Sequence, residues 1–157
     1  MVPLTKLGIT AWLGAVALLD LRTATIPNWL TLPVMAVAGG WRLYQGHWHV
    51  LLIWAMLYLV WRVNIVGGGD AKLLMGLFAL FPTLDFAFAF AAMVLVLSVP
   101  LVVVRYRGKC PADIIYGIVD RVQTGRLLPT REELEERGRP YAWTFCLPGA
   151  IYLWLLW

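Results

Sequence analysis

The dominant feature of this sequence is a succession of apolar runs separated by short polar turns. Of its 157 residues, 61% are hydrophobic and only 14% are charged, whereas a soluble domain averages about 45–50% apolar residues. Nine tryptophans fit the same interpretation, because indole favours the bilayer interface. The sequence therefore predicts an all-α integral membrane protein with about six transmembrane helices in a single domain, residues 1–157.

The lengths of the runs and the residues between them set the predicted spans, which are residues 2–19, 29–44, 48–63, 71–81, 86–104 and 141–157. Pro27 is expected to stop the first helix, and Asn28 to cap the second. Gly39 and Gly40 are expected to allow close helix packing. The fourth run reaches only about 16 Å as a helix, roughly half of the hydrocarbon thickness. Either the bilayer thins there, or the preceding glycines lie below the membrane surface.

Positive charge is distributed unevenly between the two sets of turns. Eleven of the 13 lysines and arginines follow the first, third and fifth runs, and the opposite set holds only Lys6 and Arg42. Because cytoplasmic loops carry the excess of basic residues, this count predicts an N-terminus outside the cell. Most of the eleven lie in the long polar stretch, residues 105–140, where hydrophobic spacing predicts a short surface helix and Thr130-Arg131-Glu132-Glu133 predicts a capping box.

Several classes of site and partner have no support in the sequence. Cys110 and Cys146 are too few for a four-cysteine zinc site or a disulfide framework, and His47 and His49 have no third ligand nearby. We therefore predict no metal and no cofactor. The net charge of +4 lies mainly in loops beside apolar runs, so nucleic acid is not an expected partner. With Lys6 as its one basic residue and no small-residue cleavage site, the N-terminal run is expected to be a retained span.

Two acidic residues stand beside apolar runs at the predicted cytoplasmic face. Asp20 ends the first run, and Asp70 follows three glycines in Gly67-Gly68-Gly69-Asp70-Ala71-Lys72. The glycines are expected to permit positive φ and close approach, and Asp70 to cap the fourth helix. An ionisable residue near the bilayer is costly and marks a functional site.

Two carboxylates in one wet recess would share a proton, so that one activates water while the other polarises a carbonyl. From spacing alone, ordinary interfacial charges at helix ends explain Asp20 and Asp70 equally well. Asp85 is expected to be a helix-start residue at the outer turn, and Asp113 and Asp120 to be solvated on the surface helix. If the pair is catalytic, helix dipoles favour Asp70 as the ionised base and Asp20 as the protonated acid.

Asp20 followed by Ile26-Pro27-Asn28, and then by the glycine-rich element with Asp70, resembles the type IV prepilin peptidase family and the related preflagellin peptidases. The resemblance implies an aspartic endopeptidase of the cytoplasmic (inner) membrane that removes the leader of type IV, Flp-like prepilins. It implies that Asp20 and Asp70 are catalytic. The residues expected to bind the substrate are Gly67, Gly68, Gly69, Pro27, Asn28 and Lys72.

The resemblance is to the short, peptidase-only branch of the family. The paired cysteines of the larger members, which also methylate the product, are not present in this sequence, so methylation is not expected. Two other interpretations remain open from the residues. Membrane aspartates also serve proton-coupled transporters, although this chain shows no repeated halves. The second alternative is a non-catalytic membrane subunit of pilus assembly, which would tolerate replacement of either aspartate without loss of processing.

Overall fold

The computed structural model describes residues 3–107 and 141–157, and every regular element in these two segments is a helix. The helices are α1 Pro3–Thr23, α2 Asn28–Tyr44, α3 His49–Arg62, α4 Gly68–Leu80, α5 Leu84–Tyr106 and α6 Trp143–Leu155. The all-α prediction is confirmed for the described residues. The predicted surface helix and capping box between α5 and α6 lie outside them.

The connection between α1 and α2 differs from the prediction. Helix α1 ends at Thr23 because Ala24 takes a left-handed φ of 50°, and the Ala24 N–H donates to the Asp20 carbonyl oxygen at 2.8 Å. The prediction that Pro27 stops α1 was therefore wrong. Pro27 instead holds the N-cap position of α2 with an extended backbone, and Asn28 is the first residue inside the helix. The prediction that Asn28 caps α2 was also wrong.

Helix α4 is the most buried helix of the described fold. It is 13 residues long, or about 20 Å. Its buried residues are Ala71, Leu73, Leu74, Gly76, Leu77 and Ala79. It packs against α2 and α3, while α6 packs against α1 and α5. Because protein surrounds it on several sides, α4 does not need the length of a lipid-exposed span.

Aromatic side chains join α4, α5 and α6 at the end of the fold where α5 begins. The ring of Phe86 has its centroid 4.9 Å from that of Phe81 and 4.9 Å from that of Tyr152. The Tyr152 hydroxyl lies 3.3 Å from the Thr83 hydroxyl, and Thr83 caps α5 by accepting the Phe86 N–H. Asp85 follows in the first turn, which confirms its prediction as a helix-start residue.

Helices α2 and α4 run parallel. Near their starts, Lys72 Nζ donates to Asn28 Oδ1 at 2.6 Å. Near their ends, Arg42 of α2 donates to the carbonyl oxygens of Ala79 and Leu80 at 3.2 and 2.9 Å. The last carbonyls of a helix have no partner within the helix, and a cation there also complements the helix dipole. Arg42 therefore caps the C-terminus of α4 from a neighbouring helix.

The predicted close packing at the glycine pair of α2 is confirmed at one of its two positions. A Cβ added at Gly39 would overlap the ring of Trp54 in α3, whereas one added at Gly40 would meet no atom within 4 Å. The Trp54 indole is fixed in place because its Nε1 donates to the Met75 carbonyl oxygen at 3.0 Å. Gly39 is thus needed for contact between α2 and α3, and Gly40 is not.

Replacing Gly39 by alanine is expected to destabilise the protein by about 1–3 kcal/mol, because a constrained indole must move. Gly40→Ala is the matched control at the next residue. It should be neutral or stabilising by up to about 1 kcal/mol, since alanine is the better helix former. The measurement is the free energy of unfolding in detergent. Equal effects of the two substitutions would contradict the packing argument.

Two helical segments of the described chain, Leu4–Thr23 and Leu84–Leu101, are long and apolar enough to cross a membrane. Only 17% and 11% of their residues are buried against the rest of the protein, so they are unlike the core helices of a soluble domain. Helices α3 and α6 are shorter and also apolar. These features indicate a membrane protein, and the six-span arrangement stays a prediction.

Candidate active site

The end of α1 meets the starts of α2, α4 and α6 at one end of the fold. Asp20 of α1 accepts a hydrogen bond from the backbone N–H of Ala142, which directly precedes α6. Ile26, between α1 and α2, packs against Gly69 of α4. Together with the Asn28–Lys72 hydrogen bond, these contacts bring the two sequence motifs into one site.

Asp20 lies in the last turn of α1 and is only 4% exposed. Its Oδ2 accepts the Ala142 N–H at 2.8 Å, a contact between residues 122 positions apart. The N–H groups at the start of a helix have no partner within it and attract a carboxylate. The start of α6 therefore supplies a fixed donor for a carboxylate that is otherwise withdrawn from solvent.

Asp70 is the third residue of α4, and Gly67 holds the N-cap position, so the prediction that Asp70 caps the helix was wrong. Its carboxylate folds back over the helix start: Oδ2 lies 3.3 Å from the place a Cβ on Gly67 would occupy. The Asp70 side chain is half-buried. The negative charge of Asp20 acts on it, so the two acids predicted as a pair lie within electrostatic range of each other.

Cys146 of α6 is a further ionisable group at this site. It is 4% exposed and follows Ala142 by one helical turn. Both Asp20 and Asp70 act on it electrostatically. Its burial agrees with its position inside the last apolar run, residues 141–157. Its closeness to the two acids was missed.

For the glycines before Asp70, the prediction of positive φ was wrong, whereas close approach by other residues is confirmed at Gly68 and Gly69. None of these three glycines takes positive φ. Among the glycines of the described residues, Gly46 does so. Gly68 and Gly69 lie inside α4, where a Cβ on Gly69 would stand 3.0 Å from Ile26 Cβ and one on Gly68 would stand 3.1 Å from Trp61 Nε1. Their role in the structure is close packing at the start of α4.

Three other residues predicted to contact substrate lie beside this packing. Pro27 and Asn28 begin α2, and Lys72 is one turn into α4. The hydrogen bond from Lys72 to Asn28 holds the start of α2 against α4. They therefore lie beside the start of α4, which carries Asp70, and binding of substrate by them stays a prediction.

Two helix ends act on the Asp20 carboxylate in opposite directions. The C-terminal end of α1 disfavours a carboxylate, but the Ala142 N–H and the start of α6 favour one. Asp70 is favoured by the start of α4. Because the start of α6 opposes the effect of the end of α1, helix dipoles no longer favour Asp20 as the protonated acid, and the assignment of acid and base stays a prediction.

His47 and His49 lie at the opposite end of the fold from the two acids. Their ring centroids are 5.5 Å apart, and His49 Nε2 lies 3.1 Å from the Pro82 carbonyl oxygen. Within residues 3–107 and 141–157, no group of three or more His, Cys, Asp or Glu side chains is placed to hold a metal ion.

Sequence reasoning missed Ala142, Ile26 and Trp61 as parts of the site. A weak signal existed for Ala142, because Pro140 directly before an apolar run marks a helix start with free N–H groups. Nothing local indicates to which carboxylate those N–H groups donate. Ile26 belongs to one of the two sequence motifs, but its contact with Gly69 depends on how α1, α2 and α4 pack.

A protein-family comparison agrees with this all-helical site built from two motifs. The model described as the type IV leader peptidase family matches residues 7–103, which include both aspartates and most of the chain. The protein belongs to the type IV leader peptidase family, and is thus a protease of that kind. No curated protein and no solved structure matches the chain.

Proposed function

We propose that the protein is an aspartic endopeptidase in which Asp20 and Asp70 form the catalytic pair. The observation that carries the proposal is their convergence: two acids 50 positions apart, on different helices, lie within electrostatic range at one end of the fold. Asp20 is nearly fully buried and fixed by a backbone donor. Family membership favours this proposal over a transporter or a non-catalytic subunit.

The chemistry follows from sharing one proton between two carboxylates. The ionised carboxylate takes a proton from water as the water oxygen adds to the scissile carbonyl carbon, and the protonated one donates to the carbonyl oxygen. The carboxyl group that took the proton from water then gives it to the amide nitrogen, and the C–N bond breaks. As the carbonyl re-forms, the other carboxylate takes back the hydroxyl proton, so the pair again shares one proton. No group other than the two acids and water is needed to balance these steps.

The substrate we propose is a type IV prepilin of the Flp-like kind, cut between its leader and its apolar N-terminal helix. Family membership implies prepilin-type substrates. The scissile segment must be extended at the site, because a helix hides its carbonyl groups from attack. The start of α4, with Gly67, Gly68 and Gly69, and the neighbouring Pro27, Asn28 and Lys72 are the surfaces we propose for this segment.

We further propose that all six helices cross the cytoplasmic membrane as a single domain, with the N-terminus outside. The parallel α2 and α4 agree with alternating spans. Arg22 and Arg62 end α1 and α3 on the basic, cytoplasmic side of this arrangement, and Arg42 ends α2 on the other. The two acids then face the cytoplasm, where a newly made leader is accessible.

Accessibility of cysteine tests this topology. An impermeant thiol reagent applied to intact cells should leave Cys110 unlabelled, because we place residues 105–140 in the cytoplasm, and Cys146 is buried. A Gln45→Cys variant, in the turn between α2 and α3, should be labelled under the same conditions. Labelling of Cys110 in intact cells would overturn the proposed orientation.

Leader removal tests the function itself. The protein is coexpressed with candidate Flp-like prepilins that carry a C-terminal tag, and the product is followed by gel shift and by mass spectrometry of its new N-terminus. We expect one cut between leader and apolar helix, with an unmethylated N-terminus when no other enzyme is supplied. Failure to cut any leader-bearing prepilin, by protein that is correctly inserted, would contradict the proposal.

A further inference from the structure

An open apolar cavity of about 200 Å³ lies between α1 and α6. Its α1 side includes Thr10, Gly14 and Ala17, and its α6 side includes Cys146, Leu147 and Ala150. We refer to it as the α1–α6 groove. Residues 10 and 17 are seven positions apart, so the groove follows α1 for about 10 Å, roughly two helical turns.

The polar side chains that line the groove do not require hydrogen bonds from a bound partner. Thr10 is its polar member on α1, and the Thr10 hydroxyl already donates to the Lys6 carbonyl oxygen at 2.8 Å and accepts from Trp154 Nε1 at 2.9 Å. The Cys146 thiol is buried, and the other lining residues are apolar. The groove therefore fits an apolar partner that brings no charge of its own.

One end of the groove reaches the two aspartates. Cys146 lines the groove and is also acted on electrostatically by Asp20 and Asp70. Ala17, on the other side, precedes Asp20 by one helical turn. A chain segment bound along the groove would thus reach the two carboxylates where it emerges from the groove near Asp20.

We propose that the α1–α6 groove binds the apolar helix that follows the scissile bond of the substrate. This inference rests on the proposed function and adds the place where that helix docks. Small residues on the groove, such as Gly14 and Ala17, let another helix approach closely. The bound helix delivers its own start, which is where the cut occurs, to Asp20 and Asp70.

The test fills the groove without crowding the fold. A Cβ on Gly14 would meet no atom within 4 Å, and the same is true of Gly8 on the same helix outside the groove. Gly14→Leu is therefore the test variant and Gly8→Leu its matched control. Each is assayed on a prepilin and on a second substrate in which a soluble domain replaces the apolar helix after the leader junction.

We expect Gly14→Leu to raise the KM for the prepilin by roughly tenfold or more, the effect of one large apolar side chain losing its burial. Its kcat for the prepilin, and its cleavage of the helix-free substrate, should stay near wild type, which also shows that the variant is folded. Gly8→Leu should match wild type on both substrates. An unchanged KM for Gly14→Leu would overturn the inference while leaving the proposed function intact.

A photo-reactive amino acid at position 14 gives an independent readout. It should crosslink to the apolar helix of an uncleaved prepilin, and the same group at position 8 should not. Crosslinking only to lipid, in the presence of excess prepilin, would show that the groove holds an acyl chain and would overturn the inference. If wild-type protein cuts neither substrate, the proposed function itself fails.

Discussion

Replacement of Asp20 or Asp70 by asparagine is expected to abolish leader cleavage while the protein inserts and folds normally. A carboxamide cannot take a proton from water or donate one as an acid does. General acid–base steps contribute about 10²–10⁴-fold each, so a loss of at least about a thousandfold in kcat is expected. In Asp20→Asn the side-chain oxygen can still accept the Ala142 N–H, so the junction of α1 with α6 is retained.

Asp85→Asn is the matched control. Asp85 lies in the first turn of α5, close to Thr83, whose hydroxyl contacts that of Tyr152 near the end of α6. This is the opposite end of the fold from Ala142. The Asp85→Asn variant should cut at the wild-type rate. Near wild-type turnover by either Asp20→Asn or Asp70→Asn in a prepilin gel-shift assay would show that the two acids are not the catalytic pair.

Replacement of Gly69 is expected to have the second largest effect. A new Cβ would stand 3.0 Å from Ile26 Cβ, an atom next to the backbone in a stiff β-branched side chain, so the start of α4 must shift. Asp70, the next residue, would shift with it. A misplacement of about 1 Å can cost roughly a hundredfold in rate. Gly69→Ala should therefore lower kcat strongly, and Gly69→Val should lower it further.

Gly76→Ala is the matched control on the same helix. A Cβ at Gly76 would find its nearest neighbour at 3.7 Å, so this substitution should leave the rate almost unchanged. A second substitution separates packing from direct contact with substrate. If packing is the cause, Ile26→Gly, which removes Cβ together with Cγ1 at 3.3 Å and Cδ1 at 3.4 Å, should partly restore cleavage to Gly69→Ala. A defect that is the same with and without Ile26→Gly would indicate that the substrate backbone, and not Ile26, lies against Gly69.

The sequence identifies much of this arrangement because its main signals are local. Apolar runs predict the helices, and the acids stand beside them. The start of α4 was misplaced because glycine is read as a breaker, whereas Gly68 and Gly69 are helical and are needed for close packing. The end of α1 was misplaced because no local signal requires Ala24 to be left-handed.

The rest of the site depends on contacts between distant residues. The hydrogen bond from Ala142 to Asp20 joins positions 122 apart, and no spacing rule connects them. The nearness of Cys146 to both acids likewise follows from how α6 packs on α1. Roles assigned to the site residues, including the catalytic pair, stay predictions that the substitutions above test.

Because Arg42 caps the C-terminus of α4, it also fixes the position of Asp70 along the axis of that helix. Arg42 holds the carbonyl oxygens of Ala79 and Leu80, and Asp70 stands ten residues, or about 15 Å, back along the same rigid helix. Helix α4 thus sets the distance between its capped C-terminus and the Asp70 carboxylate. One residue added between Asp70 and Ala79 would displace the Asp70 carboxylate by about 1.5 Å and turn it by roughly 100° away from Asp20.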